Sequence, residues 1–117
     1  VVPVIHNIAG KEQSEIAEMR KGIVNKARDG KLSMPDIEGA TFTISNLGML
    51  GIDSFDAIVN PPQVAILAVG STQKRPVVIN DQIEIKKVAT FTLTCDHRAL
   101  DGATGAKFLT TLKNHLE

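Results

Sequence analysis

Six consecutive apolar residues, Val64-Ala65-Ile66-Leu67-Ala68-Val69, constrain the fold of the 117-residue chain more than any other segment. The run is far shorter than the roughly 20 residues a membrane-spanning helix needs. Bounded by Gln63 and Gly70 and lacking polar alternation, it reads as a strand in the middle of a sheet. The flanking sequence must then provide neighbouring strands and covering helices. Thr41–Ser45 alternates Phe42 and Ile44 with hydroxyl residues, which is strand periodicity. Pro76–Ile79 and Ile83–Lys87 around Asn80-Asp81 form an expected hairpin, and Val88–Cys95 an expected long strand. Val1–Ile5 is also β-branched and reads as an edge or starting strand because of Pro3.

Two helices complete the pattern. Ile16, Met19, Ile23, Val24 and Ala27 recur at helical spacing over Ser14–Arg28, with acidic residues early, basic ones late and Gly30 as a stop. Gly22 inside this pattern suggests a close packing contact, since glycine there costs ~1 kcal/mol relative to alanine. Ala103, Ala106, Leu109, Leu112 and Leu116 share one face of a second helix, capped by Asp101 or a near neighbour. Between them, Ser33-Met34-Pro35 begins a short helical turn ended by Gly39. Asn46–Pro62 is an ordered loop. The order predicts an α/β fold with a mixed sheet and flanking helices.

Composition narrows the function classes. Thirteen basic and thirteen acidic residues leave no net charge, against nucleic-acid binding or a polybasic membrane anchor. One cysteine cannot form an internal disulfide, and a reducing compartment fits. No repeat, low-complexity tract, linker or domain boundary is evident, so one compact soluble domain is expected. The first residues carry no signal-peptide pattern and no initiating methionine, and they read as a cut into a longer fold.

The segment Asp96-His97-Arg98 with Asp101-Gly102 holds the main chemical interest. It follows an apolar strand and opens a helix, where a rigid scaffold presents reactive groups, so His97 is the candidate general base. The competing reading is a solvated, salt-bridged turn. His6 and His115 read as surface residues. Cys95 and His97 lack the partners of a zinc site, and Cys95 in an apolar strand reads as a small buried hydrophobe. Gly48-Met49-Leu50-Gly51 lacks the lysine and spacing of a phosphate-binding loop.

Three segments together resemble the catalytic domain of the dihydrolipoamide acyltransferases, the core subunits of 2-oxo acid dehydrogenase complexes. They are Thr41-Phe42-Thr43-Ile44-Ser45-Asn46-Leu47-Gly48, Asn60–Gly70, and Asp96-His97-Arg98 with Asp101-Gly102. Five specified residues in the last motif coincide by chance on the order of once in 10⁴ or more chains of this length. The resemblance implies a chloramphenicol-acetyltransferase-like, coenzyme A-dependent fold, of which residues 1–117 are the C-terminal half. It implies that His97 deprotonates the thiol of coenzyme A or dihydrolipoamide, that Ser45 donates to the oxyanion, and that Asp101 holds the site's geometry. Ser45 lacks the Gly-x-Ser-x-Gly setting of a nucleophilic serine.

Further expectations follow from the same resemblance. Coenzyme A is a substrate, and the lipoyl group is carried on a domain absent from this chain. The chain is the building block of a homotrimer within a larger core, with its active site between subunits. The lipoyl domain, the dehydrogenase and the dihydrolipoamide dehydrogenase components are its partners, the last two reached through absent domains. Nucleic acid and membrane are not among its partners. The compartment is the bacterial cytoplasm or the mitochondrial matrix. Asn46-Leu47-Gly48-Met49 and Lys74-Arg75-Pro76 resemble the acetyl, pyruvate-linked branch more than the succinyl or branched-chain ones. The alternatives are a structural core subunit without catalysis and a stand-alone acetyltransferase of the chloramphenicol-modifying type.

Overall fold

The computed structural model describes residues 2–117, which fall into two compact units, one ending at Thr41 and the other Phe42–Glu117. The division is one of packing within the chain. The polar contacts of the first unit explain it, because they are satisfied within that unit. Val4 N–H donates to Asp36 O at 2.8 Å, His6 Nε2 lies 2.7 Å from Pro35 O, and Lys26 Nζ reaches Asp36 Oδ2 at 3.2 Å.

In the first unit α1 spans Gln13–Arg28. Its end shows why Gly30 stops it: Gly30 adopts φ 66°, Lys31 N–H donates to Lys26 O at 2.9 Å and Gly30 N–H to Ala27 O at 3.3 Å. Such a left-handed residue satisfies carbonyls that the helix leaves open. A 3₁₀ turn at Met34–Asp36 follows, where Ser33 N–H and Oγ both donate to Asp36 Oδ2 at 3.0 Å. The expected first strand is absent: Val1 lies outside the described residues, and Val2–Ile5 pair with no strand. Pro3 has no N–H to give, and only Val4 reaches across, to Asp36.

The close contact anticipated at Gly22 is also absent, since a Cβ there would meet nothing within 4 Å. Gly22→Ala is therefore expected to stabilise the protein by up to about 1 kcal/mol, read as a rise in the thermal midpoint.

The second unit is built on a three-stranded mixed sheet. β1 (Thr43–Asn46) runs parallel to β2 (Ala65–Val69), and β5 (Phe91–Cys95) antiparallel to it. The apolar run supplies the central strand, as expected, and Ala65, Ile66, Leu67 and Ala68 are the buried apolar residues. Burying Ile66 and Leu67 contributes roughly 1.5–3 kcal/mol each. β3 (Gln73–Ile79) and β4 (Gln82–Val88) form the separate hairpin, with Asn80 and Asp81 both at positive φ. That geometry matches the twist of paired strands. The expected long strand Val88–Cys95 is broken at Ala89-Thr90, so that Val88 closes the hairpin and Phe91 joins the sheet. α2 (Gly102–Leu116) begins at Asp101, whose Oδ1 accepts from Thr104 N–H at 2.7 Å.

The hairpin is tied to the loop after β1 by a polar contact, and further ones order its start. Arg75 pairs with Asp53 and donates to Gln73 Oε1 at 2.9 Å, while Gln73 Nε2 donates to Ser71 Oγ at 3.0 Å. Ser71 N–H donates to Ile52 O at 2.8 Å. Beside them Gly70 lies so close to the Asp53 carbonyl that a Cβ would overlap it. The loop after β1 is thereby pressed against the end of β2.

Candidate active site

His97 stands in a tight turn directly after β5. Asp96 N–H donates to Val64 O at 2.7 Å, which continues the β2 pairing by one step, and Asp96 O accepts from Ala99 and Leu100 N–H at 3.0 Å. The Asp96 carboxylate is engaged by Arg98, from its backbone N–H and Nε to Oδ1 at 3.0 Å and from Nη2 to Oδ2 at 2.8 Å. These donations hold the Asp96 carboxyl down to about 2, against a usual 3.8. The salt-bridged turn considered from sequence is therefore real. It consists of Asp96 and Arg98 closing on each other, and it leaves the exposed His97 imidazole outside the pair.

Asp101 sits four residues on, its carboxyl lowered by the Thr104 N–H it accepts. This carboxylate fixes where α2 starts and so fixes the far end of the His97 turn. The sign follows from the direction of that shift. A depressed folded value means stabilisation that is present above the unfolded value of 3.8 and lost as pH falls through the folded one. Asp101→Asn keeps a capping oxygen without a titrating proton. Its helical signal is expected to fall less steeply than that of the parent in an acid titration followed by circular dichroism.

Ser45 lies elsewhere in the sheet. Residues level with one another across β1, β2 and β5 share a face, which places Ser45, Ala68 and Thr92 together on one side and Asn46, Val69 and Phe91 on the other. α2 packs on the second side, against β5, because a Cβ at Gly105 would lie 3.5 Å from Cys95 Sγ and 3.7 Å from Leu93 Cδ2. Ser45 is thus half-buried on the face away from α2. A cleft of about 370 Å³, lined in part by Asn46, Met49, Val69 and Phe91, opens near the end of β1 but on the α2 side.

Register also sets the distance between the two chemical groups. Ser45 is level with Ala68, whereas His97 follows a residue level with Val64. The sheet separates them by about 13 Å along the strands and about 10 Å across them. Because β1 and β5 run in opposite directions, their C-terminal ends point to opposite ends of the sheet. His97 and Asp101 are brought together by the turn and Ser45 is not.

Sequence reasoning missed Gly70 and the Asp53–Arg75 pair, which hold the loop after Ser45. A glycine directly behind a continuous apolar strand is a signal of close backbone approach that could have marked the first. Nothing in the spacing of Asp53 and Arg75 announces the second.

The family of 2-oxoacid dehydrogenases acyltransferase (catalytic domain) matches residues 1–117. The chain belongs to that family. Its relatives include the dihydrolipoyllysine-residue acetyltransferase component of the pyruvate dehydrogenase complex of Rickettsia bellii, 48% identical over 100% of this chain and 28% of that protein. The solved cubic core of the pyruvate dehydrogenase multienzyme complex matches with TM-score 0.93 and 37% identity, over 97% of this chain and 47% of that one. The Azotobacter vinelandii dihydrolipoamide acetyltransferase matches with TM-score 0.93 and 38% identity, over 97% of this chain and 47% of that one. Its catalytic mechanism was investigated through a serine, a histidine 52 residues later and an asparagine four beyond that. Ser45, His97 and Asp101 repeat those spacings in this chain, with aspartate in the third place. The chain thus spans about 28% of its curated relative and just under half of the solved domains. The α/β make-up of the chain, with its mixed sheet, agrees with the acyltransferase fold expected from the motifs.

Proposed function

We propose that this chain is the C-terminal half of an acyltransferase catalytic domain that moves an acetyl group between a dihydrolipoyl thioester and coenzyme A. The observation that carries the reading is the spacing of Ser45, His97 and Asp101 on strand ends and turns of a fold shared with dihydrolipoamide acetyltransferases. The acetyl rather than succinyl or branched-chain preference rests on likeness to the pyruvate-complex relative.

The chemistry suits these groups. A free thiol titrates near ~8.5, so only a few per cent is thiolate at neutral pH and a positioned imidazole accelerates attack. His97 takes the thiol proton, and the thiolate sulfur bonds to the thioester carbonyl carbon. The oxyanion so formed accepts the Ser45 hydroxyl hydrogen. Collapse of the tetrahedral species breaks the original carbon–sulfur bond, and the departing thiolate recovers the proton from His97. Asp101 orders the turn through its cap on α2.

The separation of Ser45 and His97 within one chain supports a site completed by a second copy. Each copy would give His97 to one site and Ser45 to the next, as a ring of identical subunits allows. The partners are then two further copies in a trimer, a larger core, a lipoyl domain and, through other domains, the dehydrogenase and dihydrolipoamide dehydrogenase components. The compartment is that of the complex, bacterial cytoplasm or mitochondrial matrix. Among the described residues no helix is long and apolar enough to cross a membrane.

The test is acyl transfer by the full-length protein, followed as acetyl-coenzyme A formed from acetyl-dihydrolipoamide. Product formation at enzyme-like turnover is expected. An assembled but inert full-length protein would establish the structural-core reading instead.

A further inference from the structure

β1 is only four residues long and, among the described residues, pairs on one side alone. Ser45 is therefore fixed by the pairing with β2 and by whatever grips the chain just beyond it. That grip is a closed loop. Leu47 N–H donates to Val69 O at 3.2 Å, and a Cβ at Gly48 would lie 3.0 Å from Gly70 O and 3.1 Å from Ser71 Cα. Gly51, at φ 76°, turns the chain back, so that Ile52 O accepts from Ser71 N–H and Asp53 O lies against Gly70. The loop thus touches Val69-Gly70-Ser71 on leaving β1 and again on its return. Side chains hold the returning end as well: Arg75 Nη2 meets Asp53 Oδ1 and donates to Gln73 Oε1 at 2.9 Å. Arg75 belongs to β3, and the β3–β4 sheet shares no ladder with the sheet of β1. Among the described residues no other ion pair joins the hairpin to the rest of the chain.

We infer that Arg75 is a positioning residue for acyl transfer: by holding Asp53 it closes the loop after β1 and keeps the Ser45 hydroxyl where the oxyanion forms. The inference rests on the acyltransferase reading and adds to it a residue that touches no substrate. A hydroxyl that meets only the oxyanion contributes in the transition state and not to substrate binding. A group acting through it must then change kcat and leave KM alone. Misplacing such a group by about 1 Å costs up to ~10²-fold. The backbone bonds at Leu47 and Ser71 remain when Arg75 is changed, so the expected loss is smaller.

In the full-length assembly Arg75→Gln is expected to lower kcat for acetyl-coenzyme A formation by about 3- to 10-fold, with KM for both thiol substrates within about twofold. Asp53→Asn gives the same loss, and the double variant loses no more than either single one. Both contacts of Arg75 are made by one nitrogen, so a lysine ammonium can replace it, and Arg75→Lys keeps kcat within about twofold of the parent. In a Ser45→Ala background Arg75→Gln causes no further loss, whereas a general weakening of the fold would still cause one. Unchanged kcat in Arg75→Gln overturns the inference, as does a raised KM with kcat intact, or an Arg75→Lys variant as impaired as Arg75→Gln. A loss in the Ser45→Ala background as large as in the parent overturns it too, and so does a Ser45→Ala variant as active as the parent. The two side chains are 38% and 52% exposed, so assembly should survive; if Arg75→Gln does not assemble, Asp53→Asn decides by the same measures. His97→Ala keeps the two readings apart. If His97→Ala is inactive and Arg75→Gln is unchanged, only the role of Arg75 fails; if His97→Ala is fully active, the acyltransferase reading itself fails.

Discussion

His97→Ala in the full-length protein is expected to lower acyl-transfer turnover by about 10²- to 10⁴-fold, the range for losing a positioned general base. The expectation is specific because of how the turn is built. Asp96 and Arg98 spend their charges on each other, and Asp101 spends its Oδ1 on α2. The carboxylates nearest in sequence are thus already committed, so removing the imidazole leaves no ready substitute. The turn itself should survive, since its hydrogen bonds run through Asp96, Ala99, Leu100 and Arg98 and not through the His97 side chain. Thermal unfolding should therefore change little while steady-state acetyl-coenzyme A formation collapses. Turnover of His97→Ala near that of the parent would refute the mechanism.

A second expected result follows from the opposed strand ends. Ser45→Ala alone is expected to reduce turnover by about 10²- to 10³-fold, the loss associated with one oxyanion donor. Mixing Ser45→Ala chains with His97→Ala chains and reassembling them should nevertheless recover activity that neither possesses. If each site takes His97 from one copy and Ser45 from its neighbour, a random equal mixture restores about one quarter of the sites. If both groups came from one chain, the mixture would stay as inactive as its parts. Denaturing the two variants together, refolding them and comparing turnover with separately refolded controls makes the measurement.

Much of the second unit was legible because its signals are local. The apolar run announced β2, Asn80-Asp81 announced the hairpin, and Asp101 before an apolar helical face announced α2. Failures arose where a strand depends on what lies beside it. Val2–Ile5 has the residues of a strand but no neighbour to pair with, and Val88–Cys95 carries no breaker, yet it divides at Ala89-Thr90 between two sheets. Of the candidate site, His97, Ser45 and Asp101 were readable from motifs. Their arrangement was not, because it depends on β2 running parallel to β1 and antiparallel to β5. No residue type encodes that choice by itself.

Among the described residues β1 and β5 each pair on one side only, so both margins of the sheet keep a row of backbone donors and acceptors facing outward. Unpaired margins invite any extended segment that comes near, including a misfolded one. In a longer protein built around this sheet, the hazard is greatest between synthesis of these strands and the moment those margins are covered. Yield should then depend on expression rate and on chaperone supply more steeply than thermal stability alone suggests.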